Sequence, residues 1–583
     1  MLPLSDLSVQ SPHLRNSVSL DGPWHIIIDP YETGARNMFG EPNPFGYHLN
    51  RSPATHWSAE YDFANSPTLD VPGDWNTQRD DLLWYEGTLW YQRDVPVLPE
   101  GERHFLRFGG SNYETEVWLN GQHLGVHRGG FTPFDFEITD HIDQRNYLVV
   151  RVENQRRRER LPTLDSDWWN YGGLTREVLL VATPASFVRD WFLHLDTNGE
   201  RIVGEIRLDG PVQDVELSIG AVKVTFTPDD DGRCVVDVPF AGALWSPDNP
   251  VLHDVQLVCG EDILRDRIGF RSLAQTGDQI RLNDAPIHLC GISLHEEALT
   301  EPRRAHSEAD ARALLQTVKD LGCNFARLAH YPHSDHMARV ADELGILLWE
   351  EIPVYWAVDW ENPGTYADAE NQLQELILRD RNRASVALWS VANETPVGDA
   401  RTAFLTRLIN HGRALDPTRM FTAALFMRPS KETSDQGTIR VQTMDDPLAE
   451  VLDVMGCNQY LGWYYTKIED MQDARWDSEV EKPLIMSEFG ADAPLGRRGA
   501  DTERWTEDYQ MAVYRAQFAM QDRIPFLRGT SPWILKDFRT PKRPLPGIQD
   551  YFNRKGLVSE RGERKAVWGV VAAHYANKQG TTR

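Results

Sequence analysis

VALWSVANETP (Val386–Pro396) and KPLIMSEFGA (Lys482–Ala491) decide how the rest of the chain is read. Each is an apolar run that ends at a carboxylate, Glu394 in the first and Glu488 in the second. An apolar run without alternation is the pattern of a parallel strand covered on both faces. The carboxyl end of such a strand is where α/β barrels place their catalytic side chains. One strand ending in glutamate carries little information. Two, separated by helix-like stretches, predict the paired carboxylates that glycosidic-bond hydrolysis requires.

Outward from these runs the pattern alternates. EADARALLQTVKDLG precedes CNFARLAHYP, MARVADELG precedes ILLWEEIP, and AENQLQELILRDRNR precedes VALWSVANE. Such alternation means parallel βαβ units, and close to eight of them fit, which predicts a (β/α)8 TIM barrel over residues 274–583. Polar residues at the strand ends (His295, Arg327, His330, Glu350, Glu351, Asn393, Glu394, Asn458, Tyr460, Glu488 and Trp533) would then meet at one mouth. The last strand is read in TSPWILKDF, which carries Trp533.

Before the barrel the chain reads as all-β. WHIII, TLWYQRDV, HFLRFGG, TEVWLNGQHLGVH and YLVVRVEN are short β-branched and aromatic runs broken by Gly, Pro, Asp and Asn, as in a jelly-roll sandwich over residues 1–184. Asn120-Gly121 is a favoured two-residue hairpin turn. Trp75, Trp84, Trp90 and Trp118 either form a carbohydrate-stacking face or pack between sheets. The polar, aromatic and glycine-containing run DSDWWNYGGLTREV (Asp165–Val178) is a candidate to reach a neighbouring site. Residues 185–273 alternate at short intervals and predict a seven-strand immunoglobulin-like sandwich acting as a spacer.

Composition narrows the function classes. The 583 residues exceed the roughly 250–300 at which a single core stops growing, so several domains are expected. A net charge of −27 argues against nucleic acid or an anionic membrane as partner. The five cysteines are scattered without metal-like spacing, which fits reduced thiols in a cytoplasmic protein. The run MLPLSDLSVQSPHLRN has no basic region followed by an apolar core, so no signal peptide is expected. No Gly-rich phosphate loop or His-rich metal spacing is present, and neither cofactor nor metal is expected. The partner class is a carbohydrate or glycoconjugate, with a homo-oligomer left open.

Several strings carry a family resemblance: VWLNGQHLGVHRGGFTPFDFEIT, NYGGLTREV, GFRSL, FARLAHYPHSDHMARVADELGILLWEEIP, WSVANET and SEFGA. Together with the domain order they resemble glycoside hydrolase family 2 over nearly the whole chain. The resemblance implies that Glu394 is the general acid/base, that Glu488 is the nucleophile, and that Asn393 hydrogen-bonds the sugar 2-hydroxyl. Ala392 and Thr395 flank the Asn-Glu pair where the family often has Gly and Pro. Asp167 resembles the aspartate that contacts sugar hydroxyls, and Tyr460 the tyrosine that adjusts the nucleophile, with Tyr464 near it. His295 and His330 either bond the carboxylates or the sugar, or are structural. Asn458 and Trp533 belong to the same mouth.

Protonating a leaving oxygen at neutral pH needs a carboxylic acid with a raised pKa, and attack needs the other carboxylate ionised. A spacing of about 5–5.5 Å between them gives retention through a covalent intermediate, and a wider one gives inversion; the resemblance implies retention. After the last strand comes RTPKRPLPGIQDYFNRKGLVSERGERK. Its Asn553-Arg554-Lys555 resembles the Asn-any-Lys motif with which some family members hold a C6 carboxylate. The expected activity is a retaining exo-β-glycosidase acting on a terminal β-linked uronic acid, glucuronate first. Gln549 stands where some of those members have arginine, which leaves galacturonate open, then a neutral galactoside. A carbohydrate-binding protein without catalysis is the reading from a different class, and it conflicts with both glutamates being present.

Overall fold

The computed structural model describes residues 3–4, 7–95, 98–426, 430–434 and 437–582. Met1, Leu2, Ser5 and Asp6 of the N-terminal run lie outside them. The chain forms two compact units, one of residues 1–157, 170–241 and 253–268, the other of residues 158–169, 242–252 and 269–583.

The first unit is built of antiparallel sheets. A six-stranded sheet runs in the order Thr68–Val71, Gly22–Ile28, Thr88–Val95, Asn146–Glu153, Glu114–Leu119, Gln122–Arg128. It faces a four-stranded sheet of Asn16–Ser19, Val178–Thr183, Arg103–Phe108 and Phe134–Glu137. Trp24, Leu89, Tyr91, Leu106, Phe108, Val150 and Leu180 share the core between them. Asn120 and Gly121, with φ of 54° and 78°, make the expected hairpin turn, which needs left-handed backbone at both positions. Trp75, Trp90 and Trp118 are buried and pack, whereas Trp84 is exposed. Seven further strands, from Phe187–Leu195 to Asp262–Ile268, split into sheets of three and four, as an immunoglobulin-like sandwich does. Strand Asp262–Ile268 alternates buried and exposed residue by residue, since one face of each sheet meets the core and the other solvent.

The second unit is a closed barrel of eight parallel strands: β1 Leu289–Leu294, β2 Phe325–Leu328, β3 Leu347–Glu351, β4 Val386–Asn393, β5 Met420–Phe426, β6 Val454–Asn458, β7 Leu484–Glu488 and β8 Leu527–Thr530. All eight residues of β4 are buried, as its apolar run implied. Helices α1 Glu308–Asp320, α2 Asp335–Leu344, α3 Pro363–Asp380 and α4 Asp399–Leu415 each follow one of the first four strands. Ser307 and Asp310 cap α1 reciprocally, and Gly345 ends α2 in left-handed backbone (φ 69°). The alternation breaks after β5, where Gly437–Met444 pairs with Ser430–Ser434 on one side and Arg475–Ser478 on the other as a small separate sheet. Helix α5 Glu507–Gln521 precedes β8, and α6 Val567–Thr582 closes the chain. The last strand lies earlier than TSPWILKDF, and Trp533 stands three residues past its end at Thr530. Among the described residues, no helix is long and apolar enough to cross a membrane.

The barrel interior is packed tightly enough to fix side-chain size. A Cβ on Gly456 of β6 would come within 2.4 Å of the Trp349 ring and 2.6 Å of the Ala423 carbonyl oxygen. Neither can yield, because both are inside the barrel wall. Gly456→Ala should therefore cost about 1–3 kcal/mol by overpacking and lower the Tm seen in scanning calorimetry. An unchanged Tm would contradict this packing.

Candidate active site

Arg327, the third residue of β2, is completely buried and is the hub of the barrel mouth. Its Nη2 and Nε donate to Glu351 Oε1 (3.0 Å) and Oε2 (3.3 Å), at the end of β3. Its Nη1 donates to Glu488 Oε1 at 2.8 Å, at the end of β7. Nη2 also donates to Asn393 Oδ1 at 2.7 Å, at the end of β4. Burial alone would lower the Arg327 pKa, but the Glu351 and Glu488 charges outweigh it and hold the guanidinium protonated. Glu351 also accepts from Trp349 Nε1 (2.8 Å) and lies 2.8 Å from His330 Nδ1. Burial would raise its pKa, yet Arg327 and His330 pull it down to about 2, so Glu351 is a fixed anion.

These contacts set the polarity of their neighbours. Burial lowers the His330 pKa to about 4, so the ring is neutral. Its Nδ1 lies 2.8 Å from Glu351 Oε1 and 3.1 Å from Arg327 Nη2, and its Nε2 lies 3.7 Å from Glu488 Oε1. Asn393 is oriented because arginine can only donate, so Oδ1 faces Arg327. Its Nδ2 is then buried with no partner among the described residues. Asn458 Nδ2 donates to Asn393 Oδ1 and to Glu394 Oε1, both at 3.1 Å, while Ser487 Oγ donates to Asn458 Oδ1 at 2.7 Å. Tyr460 donates to Glu488 Oε2 at 2.7 Å, and burial beside that carboxylate keeps its own hydroxyl protonated.

The two glutamates differ in setting. Glu394 is half-buried, one residue past β4. Its backbone is left-handed (φ 50°), a region that costs a non-glycine residue energy and is concentrated at functional sites. Trp356 Nε1 donates to its Oε2 at 2.8 Å. Glu488 is buried, and burial pushes its carboxyl up to about 7, with Arg327 pulling it down and Glu394 adding to the rise.

The remaining candidates gather in the same unit. Trp533 stacks on His330 with ring centroids 4.8 Å apart and meets His295 edge-on at 5.2 Å. His295, held neutral by burial, sits 3.2 Å through Nδ1 from the Tyr331 hydroxyl, and its Nε2 is buried without a partner among the described residues. Asp167 accepts from Thr540 Oγ1 (2.8 Å) and Arg543 Nη2 (2.6 Å). Lys555 is buried and donates to Asp492 Oδ2 at 2.6 Å and to the Tyr464 hydroxyl at 2.8 Å. Burial opposes its charge, but Asp492 outweighs it and raises its pKa. Asn553 Oδ1 accepts from the Lys555 backbone N–H at 3.2 Å. Phe538–Arg539 and Phe552–Asn553 pair antiparallel, so Arg543 and the Asn553–Lys555 turn belong to one hairpin. Sequence reasoning missed Trp356, Asp492 and Arg543. Only Asp492 carried a signal, a carboxylate four residues after Glu488 on an otherwise apolar run.

The sequence matches glycosyl hydrolases family 2, TIM barrel domain, over residues 273–558, and the sugar binding domain of the same family over residues 18–184. The chain belongs to glycoside hydrolase family 2. It is a glycoside hydrolase. Its sequence is 27% identical to a β-glucuronidase of Streptococcus agalactiae over 577 residues, 86% of this chain and 91% of that one. It is 28% identical to a β-glucuronidase of Rattus norvegicus over 589 residues, 89% and 86% of the two chains. A Ruminococcus gnavus β-glucuronidase solved with a C6-substituted uronic isofagomine superposes with a TM-score of 0.82 at 22% identity, over 98% of this chain and 100% of that one. A β-galacturonidase from Eisenbergiella tayi bound to galacturonate superposes with a TM-score of 0.78 at 22% identity, over 97% and 98%.

The rise at Glu488 gives a signed expectation for this family 2 enzyme. Where turnover needs Glu488 ionised, kcat/KM should fall as pH drops, with an acid limb displaced from the ordinary glutamate value of 4.5 toward about 7. That limb belongs to the coupled pair of carboxylates. A pH profile flat down to the ordinary glutamate range would contradict it.

Proposed function

We propose that this enzyme is a retaining exo-β-glycosidase that removes a terminal β-linked uronic acid, glucuronate first, in a cytoplasmic setting that fits its five free, buried cysteines. Glu394 gives its proton to the glycosidic oxygen as the C1–O bond breaks, and Glu488 bonds to C1. Water activated by Glu394 then releases the sugar. Arg327 and Tyr460 hold the attacking carboxylate, one at each oxygen. Asn393 Nδ2 is the buried donor with a bond left to make, which suits the sugar 2-hydroxyl. Asp167, held by Thr540 and Arg543, takes sugar hydroxyls, and Trp533 with the two histidines walls the pocket.

The uronate preference rests on Lys555. Asp492 and Tyr464 take two of the three N–H donors of this buried ammonium. The third donor and the Asn553 amide are left for a C6 carboxylate. The curated relatives named above, both β-glucuronidases, support the same reading.

A charge-assisted bond of this kind is worth roughly 1.5–3 kcal/mol. Lys555→Ala should therefore lower kcat/KM for an aryl β-glucuronide by about 10- to 200-fold, while a matched β-glucoside, however slow, changes little. Equal loss on both substrates, or a wild-type preference for a neutral sugar, would remove the uronate assignment and leave the two-glutamate chemistry standing.

A further inference from the structure

Trp356 and Glu394 are joined by a hydrogen bond whose two ends both lie on left-handed backbone, with φ of 53° and 50°. A bulky aromatic residue at positive φ is an outlier that its surroundings must enforce. Here they do. Trp356 N–H donates to the Asn393 carbonyl at 3.1 Å, Asn393 N–H donates to that of Val354 at 2.9 Å, and Glu394 N–H to that of Ala424 at 2.8 Å. Tyr355 packs against the indole, tilted, with centroids 4.5 Å apart, and Lys542 Nζ lies 5.0 Å over it. Packing alone would be served by any ring on relaxed backbone. What this arrangement secures is the aim of one N–H at one carboxylate oxygen, with Asn458 Nδ2 on the other.

We propose that Trp356 is a positioning residue for proton donation: it holds Glu394 toward the glycosidic oxygen and stabilises the carboxylate that forms as the proton leaves. This rests on the reading of Glu394 as the acid. In the first step Glu394 passes from neutral acid to anion while the C1–O electron pair goes to the leaving oxygen with that proton. Donors aimed at a group gaining negative charge strengthen in the transition state. In the second step Glu394 takes a proton from water, and the same two bonds weaken. Trp356 therefore favours glycosidic cleavage over release of the sugar, and matters most when the leaving group needs its proton.

The test compares aryl glycosides of whichever sugar the wild type prefers, one with an unactivated phenyl and one with a dinitrophenyl leaving group. In Trp356→Phe, kcat/KM for the phenyl glycoside should drop about 10- to 100-fold, with the dinitrophenyl substrate within about 3-fold and its kcat not lowered. Trp356→His can restore an N–H and tolerates left-handed backbone better, so it should recover part of the phenyl activity. Equal loss on both substrates, or no loss, overturns the proposal. Glu394→Ala run in parallel separates the two readings. If that variant spares the dinitrophenyl substrate and Trp356→Phe shows no selectivity, Trp356 is only structural. If Glu394→Ala itself shows no selectivity, the acid assignment fails first.

Discussion

A guanidinium with no exposed surface, shared between two carboxylates, constrains everything at the barrel mouth. Arg327 cannot give up its charge, and a buried charge must be paired. Its fork therefore dictates where β3 ends Glu351, where β7 ends Glu488, and which way the Asn393 amide faces. Buried ion pairs of this sort recover desolvation with little surplus, so the arrangement serves geometry more than stability. The charge count also matters. One arginine cannot neutralise two carboxylates, and Glu351 takes the larger share through two oxygens plus His330 and Trp349. Glu488 keeps a single arginine bond and a tyrosine, faces a second glutamate, and is pushed up to about 7.

The proposed uronate clamp follows the same logic with the signs arranged differently. Lys555 and Arg543 are each paired in advance, with Asp492 and Asp167. Pre-pairing offsets both cations and keeps their side chains in place, and it costs affinity, because an incoming carboxylate meets Asp492 as well as Lys555. Discrimination then depends on donors left over, the third Lys555 N–H and the Asn553 amide, more than on net positive charge. The hairpin that carries Asn553 and Arg543 keeps both tied to one rigid element.

Much of the fold was legible because it rests on periodicity. The buried run of β4 and the alternation of the sandwich strands are local patterns, and Asn120-Gly121 is a local backbone requirement. Glu394, Glu488, Asn393, Asn458 and Tyr460 were legible because barrel strands deliver their terminal residues to one end. Trp356, Asp492 and Arg543 were not. Trp356 reaches Glu394 only through a left-handed turn after β3, and nothing in EEIPVYW encodes that φ. Trp533 fell outside the strand assigned to it, because an apolar run continues past the last ladder bond. The upward push on Glu488 was out of reach as well, since it depends on how deeply the fold buries that carboxylate.

The central claim is that Glu488, held by Arg327 and Tyr460, becomes covalently bonded to the sugar. A 2-deoxy-2-fluoro β-glycosyl fluoride of the preferred sugar combines a good leaving group with a ring substituent that slows hydrolysis of the intermediate. Incubation followed by peptide mass spectrometry should find one fluorosugar on the peptide that contains Glu488. A label on the Glu394 peptide, or turnover to an inverted sugar with no trapped adduct, would contradict the account.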